Sequence, residues 1–301
     1  MTFFTYVDKA DCVCGASLAD PAPVVVKSHS WGEVRFVSCS GCGSWNQAPQ
    51  ISVNSLACWY DSDHYQAAAG RGSSEEGVYL DYESSEGQRQ AEALARYQRH
   101  LAGLFTKPGR VLEVGCASAS LLASMRNLGW SVTGIDLSAR FAQMAKRLNG
   151  VDVVVGDFGE FDYRHTPFDL VVMLGTVSNL QDFPAHLVQV RDSLHAGGIF
   201  YFNFPLAGSL ISRLYGEAYW MFTPSVSTFF SLKGMRTALE RAGFGDIRFR
   251  QDWQRPSLAK VLGQAGLGRF YHLVAKSGGA GRGLPFSLPI PGVMAGWARR
   301  K

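Results

Sequence analysis

No apolar run long enough for a membrane-spanning helix, roughly 18 residues or more, occurs in this sequence. The opening Met1-Thr-Phe-Phe-Thr-Tyr-Val-Asp8 lacks a basic start followed by an apolar core and a cleavage site, so a cytoplasmic location is expected. Cysteine is scarce and unevenly placed. Of six in all, four fall in the first 42 residues and Cys58 and Cys116 stand alone, a poor framework for disulfides. Charge is sparse too: 18% charged against 47% hydrophobic residues over 301 positions suits one large core with a small appendage. Acid is missing altogether from Arg255 to Lys301, where eight Lys or Arg stand without a single Asp or Glu, although the whole chain is only +4. With Leu258, Val261, Leu262, Leu267, Phe270 and Tyr271 interleaved, this stretch reads as a solvated basic face over a packed helix. The alternative is peripheral contact with a membrane surface or an acidic glycan. No recognition motif accompanies the charge, which argues against nucleic acid as a partner.

What is present centres on Arg110-Val-Leu-Glu-Val-Gly-Cys-Ala-Ser-Ala-Ser-Leu-Leu122. Its apolar residues suit a parallel strand covered on both faces, and Gly115, Ala117, Ser118 and Ala119 suit a tight turn into a helix with close backbone approach to a ligand. A second apolar segment, Trp130 to Ile135, ends in the acid Asp136, followed by Leu137. A carboxylate at the tip of a second strand is placed to accept hydrogen bonds from both ribose hydroxyls of an adenosine. Gly-x-Gly-x-x-Gly, which cradles a dinucleotide pyrophosphate, is absent, so phosphate is the weaker reading.

The pattern Glu-x-Gly-x-Ala-x-Ala with an acid some 20 residues on resembles motifs I and II of the class I S-adenosylmethionine (SAM)-dependent methyltransferases. The resemblance extends through Val153-Val-Val-Gly-Asp157-Phe158, Phe168-Asp-Leu-Val-Val-Met-Leu174, and His195 to Pro205. It also covers Gly216-Glu-Ala-Tyr-Trp220, Phe229-Phe-Ser231 and Glu240-Arg-Ala-Gly-Phe244, as in a subgroup often found beside surface-polysaccharide and natural-product genes. It implies an α/β fold with a doubly wound, mostly parallel seven-stranded Rossmann-like sheet. It further implies a SAM site in which Glu113 orients the methionine ammonium, Gly115 and Ala117 form the turn, and Asp136 and Leu137 hold the ribose. Asp157 and Phe158 would meet the adenine, Leu174 would line the floor, and Tyr79 or Tyr82 would close over the cofactor. Alanine stands at positions 117 and 119 where the family has glycine, and one methyl at each can be tolerated if φ stays negative.

Cys12-Val-Cys14 and Cys39-Ser-Gly-Cys42, separated by the β-prone Val24-Val-Val26 and Val34-Arg-Phe-Val37, read as two knuckles of a zinc-ribbon-like module holding a structural zinc. Regular spacing would put the first ligand at position 11, which is Asp11, so Asp11 and Cys12 both remain candidates, and four structural thiols are the alternative. The expected organisation is thus a module over 1–58, a linker and cofactor-covering segment over 59–86, and a methyltransferase domain over 87–301. The linker contains the Gly- and Ser-rich Ala68 to Gly77, and the domain carries a basic helical insertion at about 254–291. Within the domain, Gln88 to Phe105 shows helical spacing, and the resemblance implies that Ile247–Trp253 and Val293–Arg299 finish the sheet as an antiparallel pair.

Relatives often carry histidines where this chain has Asn179 and Val226, which leaves two positions for a general base empty. His186, Asp182, Tyr219 and His195 are the other candidates, Asn179 could orient an acceptor, and Tyr215, Tyr219 and Trp220 could form an aromatic platform. Two functions follow. One is methyl transfer to a small-molecule acceptor, a hydroxyl of a sugar, lipid-linked glycan or natural-product intermediate. The other is a catalytically inactive SAM-binding protein that serves as a binding or scaffolding partner.

Overall fold

The computed structural model describes residues 4–18, 23–29, 32–62, 86–161, 165, 167–254 and 288–301. Tyr79, Tyr82, the stretch Ala68 to Gly77 and nearly all of the 254–291 insertion with its basic residues lie outside them. The chain begins with β1 (Tyr6–Val7), β2 (Pro23–His29), β3 (Gly32–Ser38), β4 (Trp45–Gln47), β5 (Gln50–Ile51) and α1 (Val53–Asp61). A second group follows: α2 (Glu86–His100), β6 (Arg110–Val114), α3 (Ser120–Asn127), β7 (Ser131–Asp136), α4 (Ala139–Asn149), β8 (Val153–Val155), β9 (Phe168–Met173), α5 (Phe183–Ser193) and β10 (Leu194–Pro205). The chain continues through α6 (Leu210–Tyr215), β11 (Thr228–Phe229), α7 (Leu232–Arg241), β12 (Phe244–Gln254) and β13 (Leu288–Arg300).

Seven strands form the main sheet in the order β12-β13-β10-β9-β6-β7-β8, with β13 antiparallel to both neighbours and the pairs among β10, β9, β6, β7 and β8 parallel. This is the doubly wound α/β sheet expected from the sequence, down to the antiparallel pair at one edge. The central parallel strands β6, β9 and β10 are covered on both faces, which is why they read as apolar runs rather than as alternation, while the edge strand β8 is partly exposed. Val111, Leu112, Leu170, Val171, Val172 and Phe200 are all fully buried. Along β10 the faces separate. Phe200, Phe202 and Phe204 pack with Phe183, Phe230 and Met235 on the α5 and α7 side, while Ile199 and Tyr201 pack with Leu122, Met125 and Trp130 on the α2 and α3 side.

The helices start where a side chain can satisfy a free backbone N–H. Ser138 accepts from the Phe141 amide at 3.2 Å to open α4, and Asp182 accepts from the Ala185 amide at 3.1 Å to open α5, with Pro184 in its first turn. The turn into α3 differs, because Ala119 stands at the N-cap with φ +58° and makes no side-chain cap. Ala117 is also left-handed, at φ +47°. The condition of negative φ, under which alanine would fit freely at these two positions, is therefore not met. The strand-to-helix turn closes only through left-handed backbone, and alanine occupies it with strain.

The N-terminal segment does not complete its own sheet. β2, β3 and β4 form three strands, and the fourth, β11, comes from residues 228–229, paired antiparallel to β4 as Thr228 opposite Asn46 and Phe229 opposite Trp45. A third apolar cluster joins Phe4, Phe36 and Trp59 to Tyr219, Phe222 and Phe229, with Phe36 and Phe229 edge-to-face at 5.1 Å between centroids. The expected linker also begins differently, because α1 runs through Cys58, Trp59, Tyr60 and Asp61.

A left-handed non-glycine residue costs about 1–2 kcal/mol, and glycine returns about 0.4–1 of that through the unfolded chain. Ala119→Gly should therefore stabilise the protein by about 0.5–1 kcal/mol, read as a higher denaturant midpoint. An equal or lower midpoint would contradict the strain assigned to this turn.

Candidate functional site

Strand order reverses between β6 and β9, since the chain proceeds from β6 to β7 and β8 on one side and from β9 to β10 on the other. In open α/β sheets ligands bind outside the carboxyl ends of the strands at such a point. Here that place is bounded by Val114 to Ala119, by Asp136 to Ser138, and by Leu174 to Asn179. The first loop is held against β7 by the Gly115 amide donating to Ile135 O at 2.8 Å. Gly115 is itself left-handed at φ +72°, and a Cβ there would collide with the Thr176 hydroxyl, so only glycine lets the β6 and β9 loops meet.

Asp136 fastens its own surroundings. Oδ2 accepts from the Ala117 amide at 2.8 Å and Oδ1 from the Ser138 amide at 2.9 Å, which fixes the carboxylate between the two loops with lone pairs to spare. Burial raises its pKa, partly offset by those two amides. Glu113 lies deeper, 6% exposed, and its Oε2 is buried without a hydrogen-bond partner. Burial first, and the Asp136 charge second, push its carboxyl up to about 8. A buried orphan carboxylate oxygen beside a second carboxylate is a site that suits a cation.

The remaining candidates fall in different places. Asp157 caps the short turn Phe158–Glu160, accepting from the Gly159 amide at 2.8 Å, and Phe158 is 3% exposed and stacks on the His186 ring with centroids 6.3 Å apart. Leu174 follows β9 and packs against the α3-side core. His186 is not a free base. Its Nδ1 lies 2.6 Å from Asp182 O and its Nε2 3.4 Å from Asp157 Oδ1, and only the protonated ring donates to both oxygens. Burial lowers its pKa, but the Asp157 and Asp182 contacts outweigh that and raise it overall. His195 sits at the opposite, amino end of the strands, paired with Asp169 at 2.9 Å, while Asp169 accepts from the Arg110 amide. Tyr219 is fully buried against Trp220, Phe222 and Phe229, its hydroxyl 3.1 Å from Met221 Sδ, so it belongs to the core rather than to an acceptor platform. Asp182 serves as the α5 cap. Asn179 remains at the crevice, its Nδ2 donating to Tyr60 Oη at 3.1 Å and to Gly175 O at 3.2 Å.

Three residues at this edge escaped the sequence reading. Asn203 accepts from the Gly175 amide at 2.6 Å and donates to Asp252 at 2.9 Å. Asp252 is fully buried and ion-paired with Arg96, which ties α2 and β12 to the β9 loop. Removing one partner of such a buried pair costs on the order of 3–5 kcal/mol. Tyr60 is the third. No local motif marks any of them, since each acts through partners distant in sequence.

Separately, Cys12, Cys14, Cys39 and Cys42 gather so that their sulfurs all lie within 4.8 Å of one another. Cys12 and Cys42 are 3.6 Å apart and Cys14 and Cys39 are 3.7 Å apart. Tetrahedral zinc with bonds of about 2.3 Å spaces its sulfurs by about 3.8 Å, whereas a disulfide needs about 2.05 Å. Asn46 Nδ2 and the Ser44 amide each reach a sulfur at 3.5 Å. Asp11 is not a corner of this cluster; it forms a bridge with Ser17. The cluster rests on α7, where a Cβ at Gly234 would strike the Ser44 hydroxyl, Ser231 Oγ donates to Cys42 O at 2.6 Å, and Arg241 donates to Cys14 O at 2.7 Å.

An acid whose folded pKa lies above its unfolded value gives stability that is full below the unfolded value and lost as pH rises through the folded one. For Glu113 that window runs from its ordinary value of 4.5 up to about 8. Glu113→Gln should flatten the fall in stability across this range and exceed the wild type at pH 8. Thermal denaturation against pH measures this, and parallel curves would contradict it.

The methyltransferase-domain family matches residues 85–248, more than half of the chain. A 98-residue stretch is 36% identical to the Mycobacterium ulcerans protein named Probable phthiotriol/phenolphthiotriol dimycocerosates methyltransferase 2, and covers 30% of this chain and 37% of that relative. Magnesium protoporphyrin IX methyltransferase from Synechocystis, solved with S-adenosylhomocysteine, superposes with a TM-score of 0.54 at 13% identity, covering 83% of this chain and all of that one. Haemonchus contortus phosphoethanolamine N-methyltransferase 2 does so with a TM-score of 0.54 at 14% identity, covering 92% of this chain and 71% of that one. These two share the fold. The family match and the doubly wound sheet together identify the chain as a member of the class I SAM-dependent methyltransferases.

Proposed function

We propose that this enzyme transfers the methyl group of SAM to a small-molecule acceptor, a hydroxyl of a lipid-linked, sugar or natural-product intermediate. The observation that carries the SAM half of this reading is the buried, unpartnered Glu113 Oε2 beside Asp136 at the strand-order reversal. In this reading Glu113 accepts from the methionine ammonium and Asp136 from the ribose. Gly115 and Ala117 give the backbone approach, Leu137 and Leu174 line the site, and Asp157 and Phe158 meet the adenine. SAM supplies an electrophilic sulfonium methyl. The acceptor oxygen forms the new bond, the carbon–sulfur electron pair leaves with sulfur as S-adenosylhomocysteine, and the acceptor proton passes to water.

For the acceptor, the relative named for phthiotriol dimycocerosates supports a hydroxyl-bearing lipid class. Among the described residues, His186, His195, Asp182 and Tyr219 are occupied or buried. Acceleration then rests on collinear placement of nucleophile, carbon and sulfur. Asn179, whose amide hydrogens are engaged, offers its oxygen to a donating hydroxyl. Tyr215 and Trp220, edge-to-face at 5.6 Å, remain as an aromatic surface once Tyr219 is removed from it.

The four cysteines fit a structural zinc by donor chemistry and spacing, and we assign Cys12, Cys14, Cys39 and Cys42 as its ligands. By this reading the module is a docked part of the enzyme, because it borrows β11 and leans on α7. Among the described residues no helix is long and apolar enough to cross a membrane.

Asp136→Ala should weaken S-adenosylhomocysteine binding by about 1.5–3 kcal/mol through lost charge-assisted hydrogen bonds. Calorimetry gives the number, and an unchanged Kd removes Asp136 from the site. Elemental analysis of the purified protein should find about one zinc per chain, and a metal-free, fully folded preparation would contradict the assignment.

A further inference from the structure

The last turn of α1 is fastened at two places. On one side the Asp61 carboxylate accepts from Ser138 Oγ and its backbone carbonyl from Arg140 Nη1 at 3.1 Å, both just past the end of β7. On the other side Tyr60 Oη accepts from Asn179 Nδ2 at 3.1 Å, in the loop past the end of β9. In the sheet β6 lies between β9 and β7. A helix end tied to the tips of both outer strands must cross above the tip of the middle one, and that tip carries Gly115 and Ala117.

Tyr60 is partly buried as a residue and packs at the edge of the cluster that holds Phe4, Phe36 and Trp59. Burial raises the pKa of its hydroxyl, and the Asp136 carboxylate raises it further, so the phenol stays neutral and lies within the field of the ribose-side acid. A neutral aromatic ring above a nucleoside crevice is suited to cover apolar ligand surface. Its hydroxyl meanwhile holds a loop. The other end of α1 is equally fixed. Ser52 caps the helix through the Ser55 amide at 3.3 Å, Thr5 bonds Ser52 Oγ at 2.6 Å, and Gln181 reaches Ile51 O.

We infer that Tyr60 and Asp61, carried by the N-terminal segment, form the outer wall of the SAM pocket, so that part of the cofactor site is built by the segment that carries the four clustered cysteines. The inference rests on the SAM reading of the crevice. It assigns to α1 the covering role that the sequence suggested for Tyr79 or Tyr82, and it gives the docking of the N-terminal sheet on β11 a function: that docking sets the height of the wall. Loosening the segment should weaken cofactor binding although Cys12, Cys14, Cys39 and Cys42 lie outside the three loops that bound the pocket.

The test uses the full-length protein and S-adenosylhomocysteine as probe. Calorimetry on the wild type comes first, because absence of binding there overturns the SAM reading and this inference with it. Given binding, hydrogen exchange should slow over residues 58–62 when the probe is added. Tyr60→Ala should raise the Kd by about tenfold or more, the scale of losing one aromatic anchor. Tyr60→Phe, which keeps the ring, should stay within about threefold, the scale of one modest hydrogen bond. Asp61→Asn leaves the apolar core intact and should also raise the Kd, which keeps the test open if Tyr60→Ala fails to fold. A wild type that binds with no protection at 58–62, together with an Asp61→Asn variant of unchanged Kd, would overturn the inference while leaving the SAM reading in place.

Discussion

Two carboxylates in one poorly hydrated crevice set the terms for everything around them. Glu113 has an oxygen with no partner and Asp136 is partly desolvated, so bringing both to the ends of neighbouring strands is unfavourable unless a positive group arrives. The sheet tolerates this because β6 and β7 are locked by flanking apolar strands and because the Ala117 and Ser138 amides already share the Asp136 charge. A cofactor bearing an ammonium and a sulfonium relieves the cost. Preorganised charge of this kind is the usual way a site prepares for a cationic ligand. The left-handed alanines fit the same picture, since local backbone strain of this kind clusters at ligand-binding turns.

The N-terminal module is better regarded as a buttress than as an appendage. Its sheet takes a strand from residues 228–229, its cysteine knuckles are packed against α7, and its aromatic cluster is built half from Phe4, Phe36 and Trp59 and half from Tyr219, Phe222 and Phe229. Association on that scale makes the module and the methyltransferase domain one folding unit in energetic terms. A metal in the cysteine cluster would then act on the active site at a distance, through rigid packing and not through contact.

Much of the methyltransferase portion was legible because its signals are local. Continuous apolar strands, the small residues of the turn after β6 and an acid closing β7 each announce themselves within a few residues. Sulfur spacing made the cysteine cluster legible too. What stayed hidden depends on long-range partners. His186 looks like a base until Asp157, 29 positions away, is seen beside it. Tyr219 looks like a platform until the strand pairing of β11 with β4 buries it, and α1 looks like the start of a linker until Ser138 and Asn179 are found holding its end. The sign of φ at Ala117 and Ala119 is hidden for a related reason, because turn closure between two fixed elements overrules residue preference.

The most direct measurement is equilibrium dialysis of the full-length protein with methyl-labelled SAM, run with and without excess competitor. One saturable site per chain, emptied by S-adenosylhomocysteine and untouched by NAD, is the result this account requires. Binding of NAD in its place, or no saturable binding of SAM at all, would contradict it.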